Sequence, residues 1–112
     1  MEQKEIISFE DFSELVKENV AVLFYFSTIS CSVGESILPR LKSLFAEHFP
    51  KVLFCQIDMN RSVELSAACQ VFVEPTVLIY FDGKETVRRS RNLGLFEIEL
   101  ATKRLYELLF TE

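Results

Sequence analysis

Residues 22–41 read VLFYFSTISCSVGESILPRL, and the order of residue types in this stretch decides the fold. It opens inside Val20–Ser27, a segment that is apolar on both faces, β-branched and aromatic, and too short for a core helix. Such a segment is typical of a strand buried on both sides. From Val33 to about His48 apolar residues recur at helical spacing, which predicts a helix kinked at Pro39. Cys31 therefore lies at the turn from a buried strand into a helix.

The rest of the chain alternates between the same two patterns. Ser8 followed by Asp11 resembles a capping box and predicts a helix start, and Asp82-Gly83-Lys84 predicts a tight hairpin turn. In chain order we predict a strand at Glu5–Ile7, a helix at Phe9–Glu18, a strand at Val20–Ser27, the helix ending near His48, a strand at Val52–Asp58, a helix at Val63–Gln70, strands at Thr76–Phe81 and Glu85–Ser90, and a helix at Leu95–Leu109. The order βαβαβαββα predicts an α/β fold with a central mixed sheet and helices on both faces. The expected core-facing stripe of the last helix is Ile98, Ala101, Leu105 and Leu108.

The composition fits a single domain over residues 1–112. Of the 112 residues, 49% are hydrophobic and eleven are Phe, which is enough for one core. The net charge of −5 repels phosphate backbones, so nucleic acid is a poor partner. The N-terminus lacks the apolar segment of a signal peptide, and no apolar run approaches the ~18 residues of a membrane span. We therefore expect a cytoplasmic monomer with no membrane attachment.

The counts of cysteine and histidine bear on metals, cofactors and disulfides. Three cysteines, an odd number, lie far apart in the sequence and fit a reducing compartment better than a disulfide framework. With a single histidine and no paired cysteines, neither a metal nor another cofactor is expected. Cys55 falls within a strand pattern and Cys69 within a short helix, so both are expected to be structural.

Basic residues cluster once, at Arg88, Arg89 and Arg91. A local cluster of this kind can hold an anion. It also protects the edge of a sheet from pairing with another chain, and we favour this second interpretation.

Cys31 is the first candidate for chemistry. At a helix start, unpaired backbone N–H groups and the positive end of the helix dipole favour thiolate over thiol and lower the thiol pKa. The thiolate is the nucleophile in disulfide exchange. The alternative is a small buried apolar residue, and Cys31 considered alone does not separate the two.

Glu74-Pro75-Thr76 is the second candidate. It directly precedes a buried strand, where a proline cannot donate to the sheet. A proline that enters a strand from a tight turn is a candidate for a cis peptide bond, although an ordinary trans turn proline is more common.

Taken together, residues 22–41 and the segment FVEPTVLIYFDGKE at 72–85 resemble the thioredoxin family. In that family a buried strand leads to Cys-x-x-Cys, and a proline follows eight residues after the first cysteine, as Pro39 follows Cys31. The second segment resembles the family's cis-proline and the hairpin glycine eight residues later, here Pro75 and Gly83. The resemblance runs from about Glu5 to Leu109. It is similar in detail to small bacterial thioredoxin-like proteins that read Tyr-Phe-Ser-Thr (25–28) and Ser-Arg-Asn (90–92).

This resemblance implies a substrate groove around a catalytic Cys31. The residues that it places against the substrate are Ser30, Ser32, Val33, Gly34, Glu74, Pro75 and Arg91. It also implies a protein or peptide disulfide, or a thiol, as substrate, and no cofactor.

Several residues depart from the family pattern. Gly34 stands where the second cysteine would release the substrate, and Ser30 replaces the usual tryptophan. Tyr25 lies where the family buries an aspartate and Phe54 where its lysine neighbour lies, so we expect Tyr25 to be core rather than a proton relay.

Two charged residues also differ from the family. Glu74 replaces an uncharged residue beside the first cysteine, and a carboxylate there would raise the thiol pKa. Arg91 falls near a family glycine that lines the groove. An ion pair between Arg91 and Glu74 would remove the effect of Glu74 on the thiol.

Two functions follow from these features. The first is monothiol disulfide exchange by Cys31, with an external thiol resolving the mixed disulfide. The second is a redox-inactive binding module that recognises a peptide or protein partner in the groove beside Pro75. A dimer linked through Cys31 is a third, less favoured hypothesis.

Overall fold

The computed structural model describes residues 3–5, 8–28 and 32–110, with side chains over 8–28 and 37–110. The helices and strands are β1 (Gln3–Glu5), α1 (Phe9–Glu18), β2 (Ala21–Ser27), α2 (Ser32–His48), β3 (Leu53–Asp58), α3 (Val63–Ala68), β4 (Thr76–Phe81), β5 (Lys84–Ser90) and α4 (Leu95–Phe110). The predicted order βαβαβαββα is confirmed. The described strands form one sheet in the order β1-β3-β2-β4-β5. β1, β3 and β2 are parallel, whereas β4 and β5 are antiparallel to their neighbours, so the sheet is mixed as predicted.

β2 is the central strand, and its residues are buried on both faces. Leu23 and Tyr25 face one cluster, which includes Phe45 of α2 and Ile98 of α4. Val22, Phe24 and Phe26 face the other cluster, which includes Phe12 and Leu15 of α1 and Leu65 of α3. This two-sided burial explains why the strand has no polar face in the sequence.

Element boundaries differ from the sequence predictions by one or two residues. β1 lies at Gln3–Glu5 rather than Glu5–Ile7, and positions 6 and 7 lie outside the described residues. α3 ends at Ala68, two residues before the predicted Gln70. Gln70 has a positive φ of 58°, which the helix cannot accommodate. Its backbone N–H donates instead to the carbonyl of Ala67 at 3.0 Å.

The helix starts and turns follow their local chemistry. Ser8 caps α1, because its Oγ accepts from the backbone N–H of Asp11 at 3.1 Å. Asp82 and Gly83 form the two-residue turn between β4 and β5, both with positive φ (53° and 80°). That conformation matches the twist of a hairpin and favours glycine at position 83. Pro39 lies inside α2, as predicted.

The predicted stripe of α4 is wrong at its last position. Ile98 is buried, but Leu108 is 70% exposed. The stripe turns toward Tyr106, whose ring packs on Phe49 and Phe110 with centroid distances of 5.1 and 4.7 Å. Among the described residues, no helix is long and apolar enough to cross a membrane.

Candidate functional site

The site lies at one end of the sheet, where β2 ends, β4 begins and β5 ends. Phe26 of β2 is in register with Thr76 of β4, and Thr76 is in register with Ser90 of β5. Because Pro75 directly precedes β4, the register brings Pro75 to the end of β2, from which the chain continues in sequence toward Cys31.

The turn before β4 is held by several contacts. The Glu74–Pro75 peptide bond is cis, and Pro75 is buried. Thr76 Oγ1 donates to the carbonyl of Val73 and lies 2.9 Å from Ser90 Oγ. The backbone N–H of Arg91 donates to the carbonyl of Pro75 at 2.8 Å. These contacts fix the turn against the ends of β4 and β5.

Arg91 leaves β5 in a left-handed conformation, with φ of 67°, and the residue is exposed. Residues other than glycine adopt the left-handed backbone conformation at a cost of about 1–2 kcal/mol. The conformation gives a physical reason for the glycine that the family carries near this position.

The Glu74 carboxylate faces the end of β2, where both of its oxygens bond to Thr28. Its Oε2 accepts from the backbone N–H of Thr28 at 2.7 Å, and its Oε1 accepts from Thr28 Oγ1 at 3.0 Å. The described residues contain no ion pair between Glu74 and Arg91. The pairing considered from the sequence is therefore wrong, because the carboxylate is engaged by Thr28.

The structure describes the predicted site residues to different extents. Glu74, Pro75 and Arg91 are brought together around the turn before β4. The first turn of α2 contains Ser32, Val33 and Gly34, of which the backbone alone is described. Ser30 and Cys31 lie outside the described residues, so their predicted roles stay predictions.

The two cysteines of the core are buried. Cys55 is 0% exposed and Cys69 is 8% exposed. Burial raises the pKa of the Cys69 thiol to about 11, although the nearby Arg88 charge opposes that rise. Tyr25 and Phe54, the replacements for the family's buried charged pair, are both fully buried, as expected for core residues.

Sequence reasoning missed two features of this site. Thr28 enters the sequence interpretation only as part of the Tyr-Phe-Ser-Thr motif, and its local pattern does not identify the distant Glu74 carboxylate as its partner. Phe72, two positions before Glu74, is 74% exposed, and nothing in its apolar neighbourhood distinguished it from a core residue. Exposure of a large aromatic side chain beside a turn is visible only in the folded chain.

Comparison with known proteins agrees with this geometry. A profile of the thioredoxin family matches residues 3–98. The chain belongs to the thioredoxin family. Thioredoxins exchange thiols and disulfides, and membership is consistent with thiol–disulfide redox function.

Two similar proteins indicate how much of the chain this family covers. The thioredoxin-like protein YdfQ of Bacillus subtilis is 28% identical over 103 residues, which are 92% of this chain and 88% of that protein. The thioredoxin of Chlamydia trachomatis is 26% identical over 91 residues, which are 81% of this chain and 84% of that protein.

Solved structures agree on the fold. The oxidised mitochondrial thioredoxin 3 of Saccharomyces cerevisiae superposes with a TM-score of 0.82 at 22% identity. The superposition covers 90% of this chain and 93% of that one.

Proposed function

We propose that this thioredoxin-like chain is a monothiol disulfide-exchange protein that uses Cys31. The Cys31 thiolate attacks one sulfur of a protein or peptide disulfide, a new S–S bond forms, and the other sulfur leaves as a thiolate with the electron pair. An external thiol then attacks the Cys31 sulfur and expels the bound sulfur of the substrate. A second external thiol frees Cys31, so two external thiols are oxidised to one disulfide while the substrate gains two thiols.

The observation that carries this proposal is the burial of the other thiols. Cys55 is fully enclosed, and the pKa of Cys69 is raised to about 11, so few thiolates form there at neutral pH. Of the three cysteines, Cys31 is left as the reactive one. Gly34 supplies no thiol at the resolving position, which is why the second thiol must come from outside.

The turn before β4 supplies the other half of the proposed site. Pro75 is buried and fixed, so the backbone beside it offers a rigid edge to a substrate strand. Arg91 stands exposed next to this edge, and Ser30, Ser32, Val33 and Gly34 adjoin Cys31 in sequence. We propose these residues, with the backbone of Glu74 beside Pro75, as the substrate contacts.

Trapping of the mixed disulfide tests the chemistry. The reduced protein is mixed with a peptide disulfide whose leaving thiol is chromophoric, and the adduct is located by intact mass and peptide mapping. We expect one adduct, on Cys31, that persists until glutathione or dithiothreitol is added. Cys31→Ser should abolish the adduct and Cys55→Ala/Cys69→Ala should retain it. Adduct formation on Cys69 in the native protein contradicts the proposal.

Restoring the missing thiol provides a second test. Gly34→Cys should release the peptide without an added thiol, because the new cysteine can attack the mixed disulfide intramolecularly. Wild-type protein that already reduces insulin at ordinary thioredoxin rates, with thioredoxin reductase as its sole electron donor, refutes the monothiol mechanism.

Exposed Phe72 favours a second candidate function, a redox-inactive module that binds a peptide in the same groove. A large aromatic side chain that is 74% exposed beside the turn is a suitable anchor for an apolar partner residue. The alkylation rate of Cys31 against pH separates the two functions. A Cys31 pKa below ~7 favours exchange and argues against the binding module, whereas a value above ~9 with slow alkylation argues against exchange.

A further inference from the structure

The bond pattern of Glu74 joins two segments that lie 46 residues apart in sequence. Its two carboxylate oxygens accept from two different donors, Thr28 N–H and Thr28 Oγ1, at 2.7 and 3.0 Å. Two bonds to one residue fix the orientation of that residue as well as its distance. Bonds to a carboxylate are also stronger than bonds between neutral groups.

The two ends of this contact lie in different parts of the chain. On the Glu74 side, the turn is fixed by the bonds of Thr76 and of Arg91 to its carbonyl groups. On the other side, Thr28 directly follows the last residue of β2, and α2 begins at Ser32. Thr28 is therefore the point at which the chain leaves the sheet on its way to Cys31, three residues later.

We propose that Glu74 is a positioning residue for Cys31. By holding Thr28, its carboxylate fixes the sheet-side end of the segment that carries the thiol against the Pro75 turn, where the substrate strand is expected to lie. This inference rests on the proposed exchange function of Cys31 and assigns Glu74 a mechanical part in it.

A charge effect of Glu74 on the thiol predicts different behaviour. An ionised carboxylate near a thiol raises the thiol pKa, so every substitution that removes the charge should shift the pH profile of Cys31 equally. Positioning depends on the shape and bonding of the side chain. In Glu74→Gln the amide oxygen still accepts from Thr28 N–H, and the amide nitrogen donates to Thr28 Oγ1, whose oxygen can accept as well as donate. Gln therefore keeps the bridge without the charge, and Ala removes both.

The kinetic experiment compares Glu74→Ala, Glu74→Gln and Thr28→Val with wild type. The same chromophoric peptide disulfide is used at a pH where Cys31 is fully ionised in every variant, and iodoacetamide serves as a small reagent that needs no alignment. We expect Glu74→Ala to slow the peptide reaction at least about tenfold, Glu74→Gln no more than about threefold, and Thr28→Val by a factor between these two. The rate of alkylation by iodoacetamide at full ionisation should change less than about twofold in all three variants. Glu18→Gln, on an exposed residue beside the start of β2 rather than its end, is the matched control and should leave both rates unchanged.

Amide hydrogen exchange at Thr28 reports the bridge directly. We expect a protected amide in wild type and in Glu74→Gln, and at least about tenfold faster exchange in Glu74→Ala. Thr28→Val keeps the N–H and loses the hydroxyl, so it still tests the bridge if Glu74→Ala does not fold.

Two results would overturn the inference. The first is that Glu74→Gln and Glu74→Ala shift the pH profile of Cys31 equally and react with the peptide at equal rates. The second is that Glu74→Ala leaves the hydrogen-exchange rate of the Thr28 amide unchanged. Wild-type protein that forms no mixed disulfide instead contradicts the proposed function, while the exchange measurement still decides whether Glu74 holds Thr28.

Discussion

Glu74 and Glu85 each accept two hydrogen bonds, yet they fasten the molecule in different ways. Glu85 accepts from Nε and Nη2 of Arg88, both at 2.9 Å, three residues along the same strand. Glu74 accepts from the uncharged donors of Thr28, across two segments that are distant in sequence. One carboxylate pairs with a cation, and the other closes a long loop.

The main contribution of the Glu85–Arg88 ion pair is to orient the Arg88 side chain, rather than the attraction between the two charges. About a third of each side chain in the Glu85–Arg88 pair is exposed, so solvent and salt weaken the attraction. Arg88, once oriented, also donates to the carbonyls of Cys69 and Gln70 at 2.8 and 3.2 Å. Those carbonyls directly follow α3, where no further helical N–H is available to donate to them. The pair therefore connects β5 to α3, and Glu74 connects β4 to the end of β2.

The largest expected effect separates the two carboxylates by stability. Glu74→Ala should lower the free energy of unfolding by about 2 kcal/mol, because it removes two charge-assisted bonds at a half-buried position. Glu85→Ala should lower it by less than about 1 kcal/mol, as for other exposed ion pairs. Urea denaturation of both variants measures the difference. Equal losses of unfolding free energy would show that the Glu74–Thr28 bonds and the Glu85–Arg88 ion pair stabilise the fold equally.

The next effect concerns Arg88 and the end of α3. Arg88→Ala should cost about 1 kcal/mol, since it removes the donors to the carbonyls of Cys69 and Gln70. It should also speed native-state alkylation of Cys69 in a Cys31→Ser background, by letting α3 open. Because the Arg88 charge lowers the pKa of Cys69, loss of the charge alone would slow alkylation, so faster reaction reports opening.

Arg88→Lys is the control for this experiment, because lysine keeps the charge but not the fork of donors. Slower alkylation of Cys69 in Arg88→Ala would mean that Arg88 acts on the thiol by charge and does not hold the helix end.

The smallest effect is a pH dependence. Hydrogen bonds from Arg88 lower the pKa of Glu85 from its ordinary value of 4.5. A depressed folded pKa contributes stability that is present above the unfolded pKa and is lost as the pH falls through the folded pKa. Wild type should therefore melt about 2 °C above Glu85→Gln near neutral pH, and the gap should close as the pH falls below 4.5 and through the lowered pKa of the folded state.

The same pH series in an Arg88→Ala background provides the control. There the melting temperatures with and without the Glu85→Gln substitution should agree at every pH. A gap that survives without Arg88 would assign the effect to another partner of Glu85.

The fold was predictable from the sequence because its strongest signals are local. The uninterrupted apolar run of β2 required helices on both faces, and Asp82 with Gly83 supplied a turn that is typical of a hairpin. The end of α4 was predicted less well, because helical spacing alone allows either Leu108 or Tyr106 to face the core. In the structure Tyr106 faces the core, since its ring packs on Phe49.

The surroundings of Pro75 were predictable in their placement but not in their contacts. A proline directly before a buried strand placed Pro75 at the entry to β4, where the structure has it. Periodicity carries no information on which donor a carboxylate finds across the fold, so Thr28 could not be foreseen as the partner of Glu74. The sequence suggested Arg91 instead, because opposite charges are the simplest pairing to imagine.

The pairing of β1 has a consequence for the order in which the chain assembles. β4 and β5 are joined by a two-residue turn, whereas Gln3 of β1 pairs with Phe54, on the far side of α1, β2 and α2. Closing a long loop costs more chain entropy than closing a short one, and contacts between distant residues slow folding. We therefore expect the hairpin to be an early structure and the three-residue β1 a late one. The β4–β5 edge of the sheet would then form early, whereas the pairing of β2 with β4 that builds the candidate site joins residues as distant in sequence as Gln3 and Phe54 and would form late as well.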